Sequence, residues 1–215
     1  MGDVPVDEAI VIERLAFQHT LRAVEPTAPT LIDHWTAHDV AAHVVSLDQA
    51  RGIPTFLGRS IVARGVRLND AAGRFADRGF ASTKRRGFEW AIDQLGGPPP
   101  RLLLRASVAP VGIFEVFVHH EDVRRANAIE RERDVPTALA SAVPWLLRYH
   151  RRQLRDMQLV VSTSEGEWSV GAGRTVTITG SLGDVVLFLA GRRHAGTVEI
   201  AGPDNAVAGA TRLHI

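Results

Sequence analysis

A change of pattern near residue 156 constrains this chain more than any other feature. Before it, apolar residues recur at helical spacing; after it come short runs of β-branched residues separated by glycine and serine. Met157–Ser162 (MQLVVS), Glu167–Val170 and Arg174–Thr179 (RTVTIT) read as strands. Ser181 and Asp184 have the spacing of a capping box ahead of Val185–Gly191 (VVLFLAG), and Thr197–Ile200 reads as a further strand. The expected architecture is α plus small α/β: a helical bundle over residues 1–155, then a β-β-β-α-β domain over residues 156–215.

In the first part, Ile10, Val11, Leu15, Phe17, Leu21 and Val24 make a broad apolar stripe on a helix from about Asp7 to Val24, and the run Pro26-Thr27-Ala28-Pro29 ends it. Thr36 and Asp39 form a capping box, and Trp35 can staple onto Val40, so a second helix starts there and runs to about Gln49. Arginine-rich segments near 56–77 and 82–95 read as two more helices. Val111–Asn127 contains no proline and reads as a long helix. Pro136 opens a last one that reaches about Arg155, with Pro144 kinking or restarting it.

Composition removes several classes of function. The chain has no cysteine among its 215 residues, which excludes disulfides, thiolate metal sites and a protein thiol nucleophile. Any metal must be held by nitrogen and oxygen. A net charge of +1 gives no large positive field for a phosphate backbone, so nucleic acid is not expected as a partner. The start, MGDVPVDEAI, lacks a basic stretch followed by an apolar run, and no apolar run approaches the ~18 residues of a membrane span. The expectation is a soluble cytoplasmic protein with no membrane partner, as a monomer or a homodimer.

The stretch Glu115–Arg125, EVFVHHEDVRR, carries the densest chemistry. Residues four apart on a helix share a face, so Glu115 and His119 project together, whereas His120 lies about 140° around the axis from Glu115. Spacing selects His119 over His120. A helical bundle supplies further ligands from facing helices. His43 is the best third candidate, because it sits among Val40, Ala41, Ala42, Val44 and Val45, where an imidazole without a partner is costly to bury. Alone, His43 reads as a core histidine bonded to a carbonyl, and Glu115 with His119 as an ordinary helical pair. His34 and His38 repeat the four-residue spacing, but the cap at Thr36 puts His34 outside the helix. Asp122, three residues beyond His119, is placed to orient a histidine. Arg124 and Arg125 lie off the His119 face and read as ion-pair partners of Glu121 and Asp122 near the helix end.

These two stretches carry a resemblance. Trp35-Thr36-Ala37-His38-Asp39-Val40-Ala41-Ala42-His43 resembles a family pattern of W-T, two variable positions, D-L or D-V, then A-A-H. Glu115–Arg125 is similar to that family's later pattern of E, three positions, H, then G or H followed by E-D-V-R-R. The family is the mycothiol-dependent maleylpyruvate isomerases, within the DinB-like metal-binding superfamily. Leu187–Arg192 is similar to a hydrophobic run ending L-A-G-R in the small C-terminal domain of many members.

The resemblance implies a DinB-like up-and-down bundle with His43, Glu115 and His119 as metal ligands. It implies a divalent ion, zinc first and nickel, iron or manganese as alternatives, together with mycothiol or a similar thiol. The activity it implies is isomerisation of a small electrophile, or its conjugation to the thiol, with Arg192 holding a carboxylate. Two imidazoles and one carboxylate leave positions open, as catalytic sites do. Two other readings stand beside it. One is a metal-binding module without catalysis, in a binding or regulatory role, its C-terminal domain resembling sterol-carrier-like folds that hold apolar ligands; the other is a non-haem iron enzyme, which the same ligand types suit.

Overall fold

The computed structural model describes residues 4–48, 78–132, 134–154 and 156–213. By compactness the described residues form two units, one from Val4 to Asp134 and one from Val135 onward. The boundary at 155/156 marks a change of secondary structure instead. Leu139, Val143, Leu146 and Leu147, ahead of it, are fully or almost fully buried, and the helix that carries the last three packs on a strand of the sheet.

In the first unit, α1 (Val6–Arg22) and α2 (Ala37–Asp48) form where the apolar stripe and the capping box place them, but of the stripe only Ile10, Phe17 and Leu21 are buried on α1, while Val11 and Leu15 are exposed and Val24 lies beyond its end. The box is made as expected: the Thr36 amide donates to Asp39 Oδ2 at 3.0 Å, and the Asp39 amide donates back to Thr36 Oγ1 at 3.3 Å. Trp35 packs on the core cluster that contains Val40. His34 stands outside the helix in the left-handed region, at φ 65°. The expected helix over 82–95 is two pieces. Residues 78–84 are helical, Gly87 at φ +97° breaks the path, and α3 (Phe88–Gly96) follows. The helix expected over 56–77 lies outside the described residues.

Helix α4 (Ala109–Ala126) has Pro110 in its first turn, where a missing amide costs nothing. Every residue from Val111 to Val123 is buried, so this helix runs through the unit's interior with no solvent face over that length. It packs on α1 and α2. Gly112 permits the approach of α1, since a Cβ there would stand 3.1 Å from Ile10 Cδ1.

In the second unit a 3-10 helix (Thr137–Ala142) precedes α5 (Val143–His150), with Pro144 in the first turn, so the proline restarts the helix. Strands β1 (Met157–Thr163), β2 (Gly166–Gly171), β3 (Arg174–Gly180) and β4 (Val198–Ala201) form one sheet in the order β2-β1-β3-β4, with β1 and β3 parallel at its centre. The link from β2 to β3 passes beneath the start of β1. A Cβ on Gly171 or Gly173 would lie 2.3 Å from the Met157 oxygen or 2.1 Å from that of Asp156, and both glycines have positive φ. Glycine is therefore required at both positions. Leu159, Val161, Val176 and Ile178 are fully buried on one face, against α6 (Leu182–Leu189), whose cap is Ser181 Oγ accepting from the Asp184 amide at 3.2 Å. The other face carries Ser162, Ser169, Thr175, Thr177 and Thr179. A short α7 (Asp204–Ala210) closes the described chain; its alanine-rich sequence gives no strong periodic signal.

Candidate metal centre

Helices α2 and α4 bring the three expected ligands together. One donor atom from each of His43, Glu115 and His119 lies within 4.8 Å of the others, and among the described residues no other group of three acidic or histidine side chains does so. The His43 and His119 rings meet edge to face, with centroids 4.9 Å apart. Glu115 and His119 are 3% and 6% exposed, while His43 is only half-buried, so the cluster opens on the His43 side.

The chemistry of the donors fits a cation. His119 Nδ1 lies 2.9 Å from Asp122 Oδ2 and donates to that carboxylate. In the neutral ring this leaves the Nε2 lone pair facing Glu115 Oε2 at 3.5 Å. Two acceptors face each other there, which is unfavourable unless a proton or a metal stands between them. Ligand atoms about 2.0–2.1 Å from a tetrahedral ion are about 3.4 Å apart, so the observed separation needs almost no adjustment. Without an ion, only a proton can fill that role. Burial alone would lower the His119 pKa, but the hydrogen bonds and charges of Asp122 and Glu115 outweigh it and hold the group above its ordinary value.

Asp122 is fully buried and is the group that fixes the tautomer and rotation of His119. Asp122→Asn should therefore lower the affinity for a divalent ion about 10–100-fold while the helix stays intact. A metal titration that gives the wild-type constant would contradict this.

His120 faces the other way. Its Nδ1 lies 2.7 Å from Glu13 Oε1 and its Nε2 2.8 Å from Thr20 Oγ1, both on α1, and its ring stacks on Phe17. Arg131 joins this network, with Nη2 at 2.5 Å from Glu13 Oε2 and Nη1 at 2.6 Å from Glu121 Oε1. Arg124 holds Glu121 through two nitrogens at 2.8 Å each, and Arg125 donates to it at 2.5 Å. The arginines after the double histidine thus pair with Glu121, while Asp122 serves His119. Sequence reasoning missed Glu13, Thr20 and Arg131. A signal existed for two of them, since Glu13 and Thr20 fall on the same face of α1 as Ile10, Phe17 and Leu21. Arg192 belongs to the other unit, beyond the end of α6, and its guanidinium donates to the Ala190 carbonyl at 2.7 Å. His150, buried in that unit, bonds the Leu189 carbonyl at 2.9 Å.

Fold and site together define a class: a mixed protein of helices and one small four-stranded sheet, whose helical unit gathers two histidines and a glutamate at a candidate metal site. No family model and no curated protein sequence matches the chain. Among solved structures it is similar to the mycothiol-dependent maleylpyruvate isomerase, with a TM-score of 0.55 and 16% identity over 94% of this chain and 96% of that one. A histidine-to-alanine mutant of that isomerase aligns over the same shares at a TM-score of 0.50 and 15% identity. The likeness is one of fold. Among the described residues no helix is long and apolar enough to cross a membrane.

Proposed function

We propose that the protein is a divalent-metal-dependent enzyme of the cytoplasm that uses a low-molecular-weight thiol of the mycothiol kind to isomerise or conjugate a small electrophile. The observation that carries this reading is the convergence of His43, Glu115 and His119. His43 and His119 as neutral imidazoles and Glu115 as a carboxylate would hold the ion, zinc by preference. Once bound, such an ion supplies Lewis acidity and lowers the pKa of a coordinated thiol. Asp122 keeps the His119 proton on Nδ1, so that Nε2 stays available. The fold likeness to an isomerase that is mycothiol-dependent supports the choice of thiol. A chain without cysteine agrees with a thiol supplied from outside. We assign Arg192, by the family resemblance of Leu187–Arg192, to a carboxylate of thiol or substrate.

Zinc-loaded protein incubated with mycothiol, bacillithiol or glutathione and a panel of electrophiles should consume at least one thiol, and removal of the metal should stop it. Metal binding without consumption of any thiol would favour the non-catalytic module. The apolar-ligand part of that alternative draws little from the inner sheet face of the second unit, which is filled by Leu159, Val161, Val176 and Ile178.

A further inference from the structure

The side from which the metal cluster can be reached is walled by two aromatic rings. Glu115 and His119 are closed in, so a ligand arrives past half-buried His43. Against His43 stand Trp35, with ring centroids 5.3 Å apart and edge to face, and Phe80, at 6.5 Å. Trp35 and Phe80 are themselves stacked, 5.4 Å between centroids and 11° from parallel. They come from different segments: Trp35 precedes α2, and Phe80 lies on the helical piece at 78–84. That piece is tied to α2 a turn further on, where Lys84 pairs with Asp39 of the capping box. Both rings keep part of their surface exposed. Trp35 is accounted for in part as the staple of α2, but a staple needs neither a second ring stacked on it nor residual exposure beside a ligand.

We infer that Trp35 and Phe80 form the specificity wall of the metal site and select a flat, conjugated electrophile over a saturated one. This rests on the reading of His43, Glu115 and His119 as metal ligands. A planar π-system presents a face and a polarised edge to such rings, while a puckered chain offers only dispersion contact. The same planarity belongs to conjugated carbonyl compounds, whose β-carbon accepts a thiolate.

The test uses two acids of equal length that cannot turn over without a thiol: sorbate, planar and conjugated, and hexanoate, saturated. Zinc content is measured first. A wild-type chain that takes no zinc overturns the metal reading and this one with it. With zinc bound, calorimetric titration should show sorbate about five-fold tighter than hexanoate. Trp35→Phe should keep the preference, and Trp35→Leu and Phe80→Leu should bring the ratio near one at unchanged zinc content. An unaltered ratio in both leucine variants, equal binding by the wild type, or no binding of either acid would overturn the wall while leaving the metal site standing. As a check independent of the variants, bound sorbate should give nuclear Overhauser contacts from its vinyl protons to the Trp35 and Phe80 rings of the wild type. Contacts confined to other residues would also overturn it.

Discussion

His43→Ala, Glu115→Ala and His119→Ala should each remove most of the bound divalent ion, whereas His120→Ala should keep it and lose stability instead. Adjacent histidines on one helix are thus expected to separate into two phenotypes. Each of the first three substitutions deletes a donor atom from a cluster of three, and the loss in affinity should exceed the 10–100-fold typical of a residue that only orients a ligand. His120 supplies no donor to that cluster, because both its ring nitrogens are spent on Glu13 and Thr20 of α1. Its removal leaves a buried carboxylate and a buried hydroxyl each short of a partner and forfeits the stack on Phe17. The expected cost is about 2–3 kcal/mol. Metal content by mass spectrometry and denaturant unfolding of the same four samples decide the matter. Unchanged metal in all three ligand variants would sink the site, and loss of metal in folded His120→Ala would sink the division of the double histidine.

That division was legible because it depends only on the angular spacing of a helix, which holds wherever Glu115 and His119 are both helical. His43 was legible for a related reason: an imidazole set among Val40, Ala41, Ala42, Val44 and Val45 has to meet a polar partner, and α2 packs on α4. Capping boxes at Thr36 and Ser181 fixed two helix starts from two residues each, since the bonds involved are local. What escaped the sequence depends on contacts between distant segments. Arg131 lies 118 residues from Glu13. No local pattern says that a loop arginine returns to α1. The β2–β3 link shows the same limit, since Gly171 and Gly173 look like ordinary turn glycines until Asp156 and Met157 are seen passing over them. Likewise α5 reads as one more helix of the bundle, and only its packing on β2 assigns it to the sheet unit.

Arg131→Met should be among the most destabilising single changes in the helical unit, by about 3 kcal/mol, and should also alter how that unit responds to acid. Arg131 bridges two carboxylates that are almost wholly shielded, Glu13 and Glu121, and a methionine keeps the apolar stem while removing the cation that joins them. Burial by itself would raise the Glu121 pKa, but hydrogen bonds from Arg124 and Arg125 and the charges of Arg124 and Arg131 bring it from 4.5 down to about 2. A depressed carboxylate contributes stability that is fully present above its unfolded value and disappears as pH falls toward the folded one. For Glu121 the window is therefore pH 4.5 to about 2, and the stability lost across it is about 3 kcal/mol. Glu13, also lowered, adds to the loss with the same sign: burial opposes the shift, and His120 and Arg131 outweigh it. The four tryptophans allow the unit to be followed alone, because Trp35 and Trp90 lie in it and Trp145 and Trp168 do not. In a Trp145→Phe, Trp168→Phe background, urea unfolding between pH 7 and pH 3 should show stability falling steeply below pH 4.5. Glu121→Gln, which cannot titrate, should start lower at pH 7 and lose less on acidification. Arg131→Met should lie between them, because Glu121 retains Arg124 and Arg125. Three parallel curves would mean that the Glu121 charge contributes nothing to the folded unit, and the arginine cluster would then be a solvated helix end after all.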